Sequence, residues 1–174
     1  MSGCFRFMAK FKFDGVDEYV SKLVSLSKVS EGMIKRAVFE GAKIVGDDIL
    51  DAIRALPETG AGYPKRGYFP TEMVKGVTAD QKEGLIKGFG YAKMRNDGGY
   101  INTKIGFDGY NNTVTDKFPS GQPNMLIARS VESGSSKRVK TPFVRPAIQR
   151  AKERAEMAMS ASVDKDINTT MEGK

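Results

Sequence analysis

The chain has 174 residues, a formal net charge of +7, one cysteine, and neither histidine nor tryptophan; 40% of its residues are apolar and 28% charged. That length supports one domain with a real core. No apolar run approaches the roughly 20 residues of a membrane helix, and no apolar stretch precedes a small-residue cleavage site near the start, so neither a membrane span nor a secretory signal is expected. Without histidine, Ser-His-Asp and Cys-His catalysis and the usual zinc ligand sets are excluded, and a lone Cys4 forms no intramolecular disulfide and fits a reducing cytosol.

Residues 5–13 read FRFMAKFKF, with Phe5, Phe7, Ala9, Phe11 and Phe13 on one side and Arg6, Lys10 and Lys12 on the other. This is the alternation of a half-buried strand, ended by an Asp14-Gly15 turn. Aromatic rings between basic residues also resemble a single-strand nucleic-acid platform. Because the phenylalanines all face one way, sheet core is the stronger reading.

A short helix is expected over 17–28 on Val20, Leu23 and Val24, and Ser30 is placed to cap a second, longer one. From 30 to 56, Ile34, Val38, Val45, Ile49, Ile53 and Leu56 step by threes and fours, with Gly41 filling the gap, so they form one stripe. Pro57 ends it. This rod of about 40 Å either backs a sheet or gives part of its stripe to a neighbouring subunit. Gly41 and Gly46 inside it cost roughly 1 kcal/mol each relative to alanine, which close approach of another backbone would explain. Asp47, Asp48 and Asp51 read better as an exposed acidic face, with Arg54 three residues beyond Asp51, than as a metal site.

Residues 57–77 hold prolines, glycines and the rings of Tyr63, Tyr68 and Phe69. An irregular protruding loop follows, which either docks on a neighbour or folds onto its own domain. Thr78 and Gln81 make a capping box for a short helix ending on Leu85, Ile86 and Phe89. Asp97-Gly98 between strand-like runs signals a hairpin, with Ile101, Thr103, Ile105 and Phe107 alternating along its second arm. Asn124 suits the N-cap of a helix over 125–133, and Gly134 its terminating glycine. Pro146 fits the first turn of a final helix whose narrow stripe is Ile148, Ala151, Ala155 and Ala158, and residues 163–174 lose that pattern. The expected fold is α+β: a small antiparallel sheet packed against a long α-helix, with a C-terminal helix. One domain spans 1–162 and a flexible tail 163–174.

Residues 137–154 hold seven basic side chains and one acidic one, which reads either as a solvated helix face or as contact with an acidic protein or nucleic acid. Arg145 at a helix start calls for an anionic partner, and Glu132 is one candidate within the chain. Neither GFGYAK nor GAGYPK has the spacing of a phosphate loop. No cofactor, metal or catalytic site is expected.

The ordered set Glu132, Gly134, Ser135, then a basic gap, then Pro142, Phe143, Arg145 and Pro146 resembles the C-terminal signature of a family of neck or tail-completion proteins of long-tailed bacteriophages, the type of gene product ten of phage HK-ninety-seven. The segments LIKGFG and YINTKIGFDGYN are similar to its central hairpin, and the resemblance covers roughly 14–160. It implies a virion structural subunit without catalysis, formed in the host cytoplasm and assembled as a ring, a hexamer, at the neck. Its neighbours would be the head connector or stopper and the tail terminator or tail tube proteins, with contact to channel DNA left open. The interface would use Tyr63, Tyr68, Phe69, Glu132, Gly134, Ser135, Lys137, Arg138, Lys140, Phe143 and Arg145. The alternative is a basic nucleic-acid-binding module acting through residues 137–154.

Overall fold

The computed structural model describes residues 16–59, 73–115 and 117–172. The strand expected at 5–13 and the loop rings of Tyr63, Tyr68 and Phe69 lie outside the described residues. Among the described residues, four helices and two small antiparallel ribbons form an α+β fold. They are α1 (Val16–Arg54), α2 (Ala79–Gly88), β1 (Phe89–Tyr91), β2 (Arg95–Asp97), β3 (Tyr100–Asn102), β4 (Ile105–Phe107), α3 (Asn124–Ser133) and α4 (Val144–Glu172).

Helix α1 is continuous over 39 residues, about 58 Å, where two helices were expected. No proline interrupts the sequence, and the serines that suggested a break bond back onto the helix instead. Ser25 Oγ donates to Ser21 O at 3.0 Å and Ser30 Oγ to Ser27 O at 2.8 Å, so Ser30 is not a cap. Pairs four residues apart, Glu18 with Lys22 and Glu31 with Lys35, support the exposed faces. The helix ends just before Pro57, as expected, and Arg54 pairs with Asp51 at 2.8 Å.

Helix α4 runs antiparallel to α1. Arg36 meets Asp166 at 2.8 Å and Arg154 Nη2 meets both carboxylate oxygens of Asp48 at 2.7 Å. Both pairs are twelve residues apart on each helix, so the register is set at two points. At the N-terminal end of the stripe the covered face is one position round from the expected one, with Met33 and Ala37 buried and Ile34 exposed, whereas Gly41, Ile49, Ile53 and Leu56 are buried as expected. Small residues let the helices close, since Gly41 and Ala155 are buried and a Cβ on Gly41 would stand 2.6 Å from Met159 Sδ and 3.6 Å from Ala155 O, while Ala147 joins Ile49 and Ile53 in the core. The residues expected to form a loose tail remain helical to Glu172. Arg36 holds Asp166 there, and Thr169 and Thr170 hydroxyls bond back to Lys165 O and Asp166 O.

The hairpin lies along the middle of α1, with Tyr91 against Phe39 and Gly46. Phe89 pairs with Phe107 and Tyr91 with Ile105; beyond a short break, Arg95 pairs with Asn102 and Asp97 with Tyr100. Gly98 and Gly99 close it, both with positive φ, as a two-residue I′ loop requires. Ala92 N donates to Lys104 O at 2.7 Å across the break, so the two ribbons are one bent hairpin. Gly46 is where the sheet meets α1, since a Cβ there would fall 2.0 Å from the Tyr91 hydroxyl. The two α1 glycines thus admit side chains rather than a second backbone.

The core joins Ile49 and Ile53 of α1 and Leu56 just beyond it to Val77, Leu85, Ile127, Val131, Phe143 and Ala147. Full burial of a residue such as Ile53 or Leu85 contributes about 1.5–3 kcal/mol. Phe89, Phe107 and Phe143 continue it as edge-on ring contacts 5.6 and 6.1 Å between centroids.

Candidate functional site

The expected site is the elbow between α3 and α4, and its shape follows from two terminations. Helix α3 ends at Gly134, whose φ of +79° is open to glycine at little cost. Residues 135–138 then turn back: Ser135 N donates to Arg138 O at 3.0 Å and Arg138 N to Ser135 O at 3.3 Å. Thr141 N donates to Val131 O at 2.8 Å, which lays the chain along α3 until α4 begins at Val144.

Glu132 fastens the two helices. Its carboxylate accepts from the backbone N–H of Phe143 at 2.8 Å, Val144 at 2.9 Å and Arg145 at 3.3 Å. These are among the free donors of the first turn of α4, so Glu132 caps a helix that begins twelve residues later. Arg145 Nε adds an ion pair at 3.6 Å. Burial pushes the Glu132 carboxyl up, but the three N–H donors and the Arg145 charge outweigh it and hold the group below the ordinary glutamate value. The expected Glu132–Arg145 pair is therefore present, and the stronger bonds go to the backbone. The missed signal was the N-terminus of α4 itself, which attracts a carboxylate by its unpaired N–H groups and its dipole.

Two further elements lock the elbow. Val74 N donates to Lys137 O at 3.0 Å and Val139 N to Val74 O at 2.9 Å, so the returning arm of the 57–77 excursion is strapped onto it. The other arm is zipped to the first where Thr59 N donates to Val77 O and Val77 N to Pro57 O. Arg138 turns inward, 1% exposed, and its Nη2 donates to Gln81 Oε1 at 2.8 Å. Gln81 completes the expected capping box with Thr78 and donates through Nε2 to Gln122 Oε1 at 3.3 Å. Asn124 is not an N-cap. Pro123 occupies that position, and the Asn124 side chain is buried, with Nδ2 donating to Asp108 O at 2.8 Å and Oδ1 accepting from Asn111 at 3.3 Å.

The residues assigned to an interface thus divide. Arg138 and Phe143, at 1% and 3% exposure, are interior parts of the elbow and cannot meet a partner; this corrects their assignment. Glu132 and Gly134 shape the bend. Ser135, Lys140 and Arg145 are exposed and Lys137 is half-buried.

Comparison with protein-family models, with characterised proteins and with solved structures finds no match to this chain.

Much of the basic run is already engaged. Arg154 is bound by Asp48, Arg145 lies beside Glu132, and Lys152 is 3.9 Å from Glu156. Lys140 and Arg150 carry no ion pair among the described residues. A groove of about 370 Å³ between α1 and α4 is lined by Lys35, Arg36, Phe39, Glu40, Lys165 and Asp166, where Arg36 is again spent on Asp166. Among the described residues no group of three or more His, Cys, Asp or Glu side chains could hold a metal ion, and no helix is long and apolar enough to cross a membrane. One exposed surface was absent from the expected set. Tyr19, Val20, Leu23 and Val24 on the first turns of α1 are 43–55% exposed, although the sequence had marked the last three as the buried side of a short helix.

Proposed function

We propose that this protein is a structural subunit of the neck or tail-completion apparatus of a long-tailed bacteriophage, assembling as a ring between the capsid connector and the tail. The observation that carries the reading is the elbow. The same ordered residues on which the resemblance rests, Glu132, Gly134, Phe143 and Arg145, act together as a fastened bend. Its outer side offers Lys140 and Arg145 to a neighbour, and the first turns of α1 present exposed Tyr19, Val20, Leu23 and Val24 elsewhere on the molecule. A rigid bend and a free apolar face suit a part that is held by other proteins.

The test is native mass measurement together with particle assembly. The protein is expected to form discrete oligomers or to join a head or tail partner, and the variant Lys140→Glu, at an exposed side chain with no ion pair among the described residues, to fold normally while failing to join heads to tails. A strictly monomeric protein that also never enters particles refutes the reading. The second reading, nucleic-acid binding through 137–154, rests on the exposed cations Lys140 and Arg150. It predicts affinity falling steeply with salt, and the burial of Arg138 and the pairing of Arg154 reduce the charge it has to work with.

A further inference from the structure

We infer that residues 19–29 of α1 form a helix-to-helix contact between copies of this chain. This deepens the neck-subunit reading and rests on it. Counting from the Arg36–Asp166 pair, Glu172 at the end of α4 falls opposite Ser30 of α1. Below that level Met33 and Ala37 are almost fully buried. Above it the same face continues in steps of three and four as Leu26, Leu23 and Tyr19, with Val20 and Val24 beside it. Tyr19, Val20, Leu23 and Val24 are all exposed. The stripe therefore outruns its cover by about three turns.

A helix of that length has little stability of its own in water, because helices gain most of it from packing an amphipathic face. Its charge says which cover fits. Within 19–29 the charges are Lys22 and Lys28, and Lys22 is paired with Glu18 at 2.9 Å, so Lys28 is the one charge of the stretch without an ion pair among the described residues, on a chain of net charge +7. An acidic partner would gain little here and would favour residues 137–154. A second copy is repelled by most of the basic surface and least by this stretch. The partner that matches a nearly neutral row of tyrosine, valine and leucine is the same row on a neighbour.

The experiment is sedimentation of the full chain over a wide concentration range, comparing the wild type with Leu23→Glu and with Val20→Glu, alongside hydrogen exchange of residues 19–29. Both side chains lie beyond the end of α4 and are exposed, so the variants keep the fold. The expected result is association at least about tenfold weaker in each variant, or 1.4 kcal/mol, with wild-type protection of 19–29 rising with concentration. Variants that associate like the wild type overturn the inference and leave the neck reading standing. A wild type that is monomeric yet enters particles does the same. Protection independent of concentration, and lost on removing residues 1–13, overturns it by giving the face to the chain's own N-terminal segment.

Discussion

Replacing Glu132 isolates the fastening of α3 to α4. In Glu132→Ala the N–H groups of Phe143, Val144 and Arg145 lose acceptors now 2.8, 2.9 and 3.3 Å away. Phe143 is buried, and the Glu132 side chain is only 12% exposed, so water replaces these bonds poorly. Loss of a helix cap costs about 0.5–2 kcal/mol, and loss of a partly buried charge at a helix end up to ~2 kcal/mol. Together they predict about 3 kcal/mol for Glu132→Ala. Glu132→Gln retains an acceptor oxygen and loses the charge, so about half that is expected. Urea unfolding followed by circular dichroism measures both, and at 2–4 °C per kcal/mol the alanine variant melts roughly 6–12 °C lower. The sign with pH follows from the carboxyl lying below its ordinary value of 4.5 in the folded state. The contribution is complete above the unfolded value and disappears as pH falls through the folded one. The gap between wild type and Glu132→Gln is therefore expected to be full above about pH 5 and to close in stronger acid. A Glu132→Ala variant within about 0.5 kcal/mol of wild type, or a gap that widens on acidification, would refute the reasoning.

Thr78→Ala removes the hydroxyl that accepts from Gln81 N at 3.2 Å and is expected to cost about 1 kcal/mol in the same unfolding assay. Gly76→Ala places a Cβ 2.1 Å from Pro57 O at a φ of +85°, so both strain and collision oppose it. A loss above about 2 kcal/mol is expected, with the zipped bases of the 57–77 excursion opening first by hydrogen exchange. Asp48→Asn breaks the bidentate contact to Arg154, whose side chain is largely exposed; the loss is expected to stay below about 1 kcal/mol and to shrink further in high salt.

Local signals with a mechanism of their own were legible in the sequence. The Thr78–Gln81 box, the Gly134 terminator and the Asp51–Arg54 pair formed where the spacing put them, and the hairpin expected at Asp97-Gly98 formed with its loop one residue later, at Gly98-Gly99. What failed needed knowledge of a distant neighbour. Ile34 lost the buried face to Met33 and Ala37 because the path of α4 across α1, pinned at Arg36–Asp166 and Asp48–Arg154, decides which side is covered, and no pattern within α1 reveals that path. Asn124 has the residue type of a cap, yet two acceptor and donor partners at Asp108 and Asn111 draw it inside. Arg138 was indistinguishable in the sequence from the exposed cations around it. Only the side chain of Gln81, brought beside it from 57 residues earlier, marks it as interior.

The continuity of α1 has a mechanical consequence. One end of this rod is clamped between α4 and the hairpin, and the other stands free, so it works as a lever arm. A tilt of a few degrees at the clamp sweeps the free tip by roughly 1–2 Å over the three or four turns beyond it. Force applied at Tyr19 is felt at Gly46 and Tyr91 without any joint in the helix to absorb it.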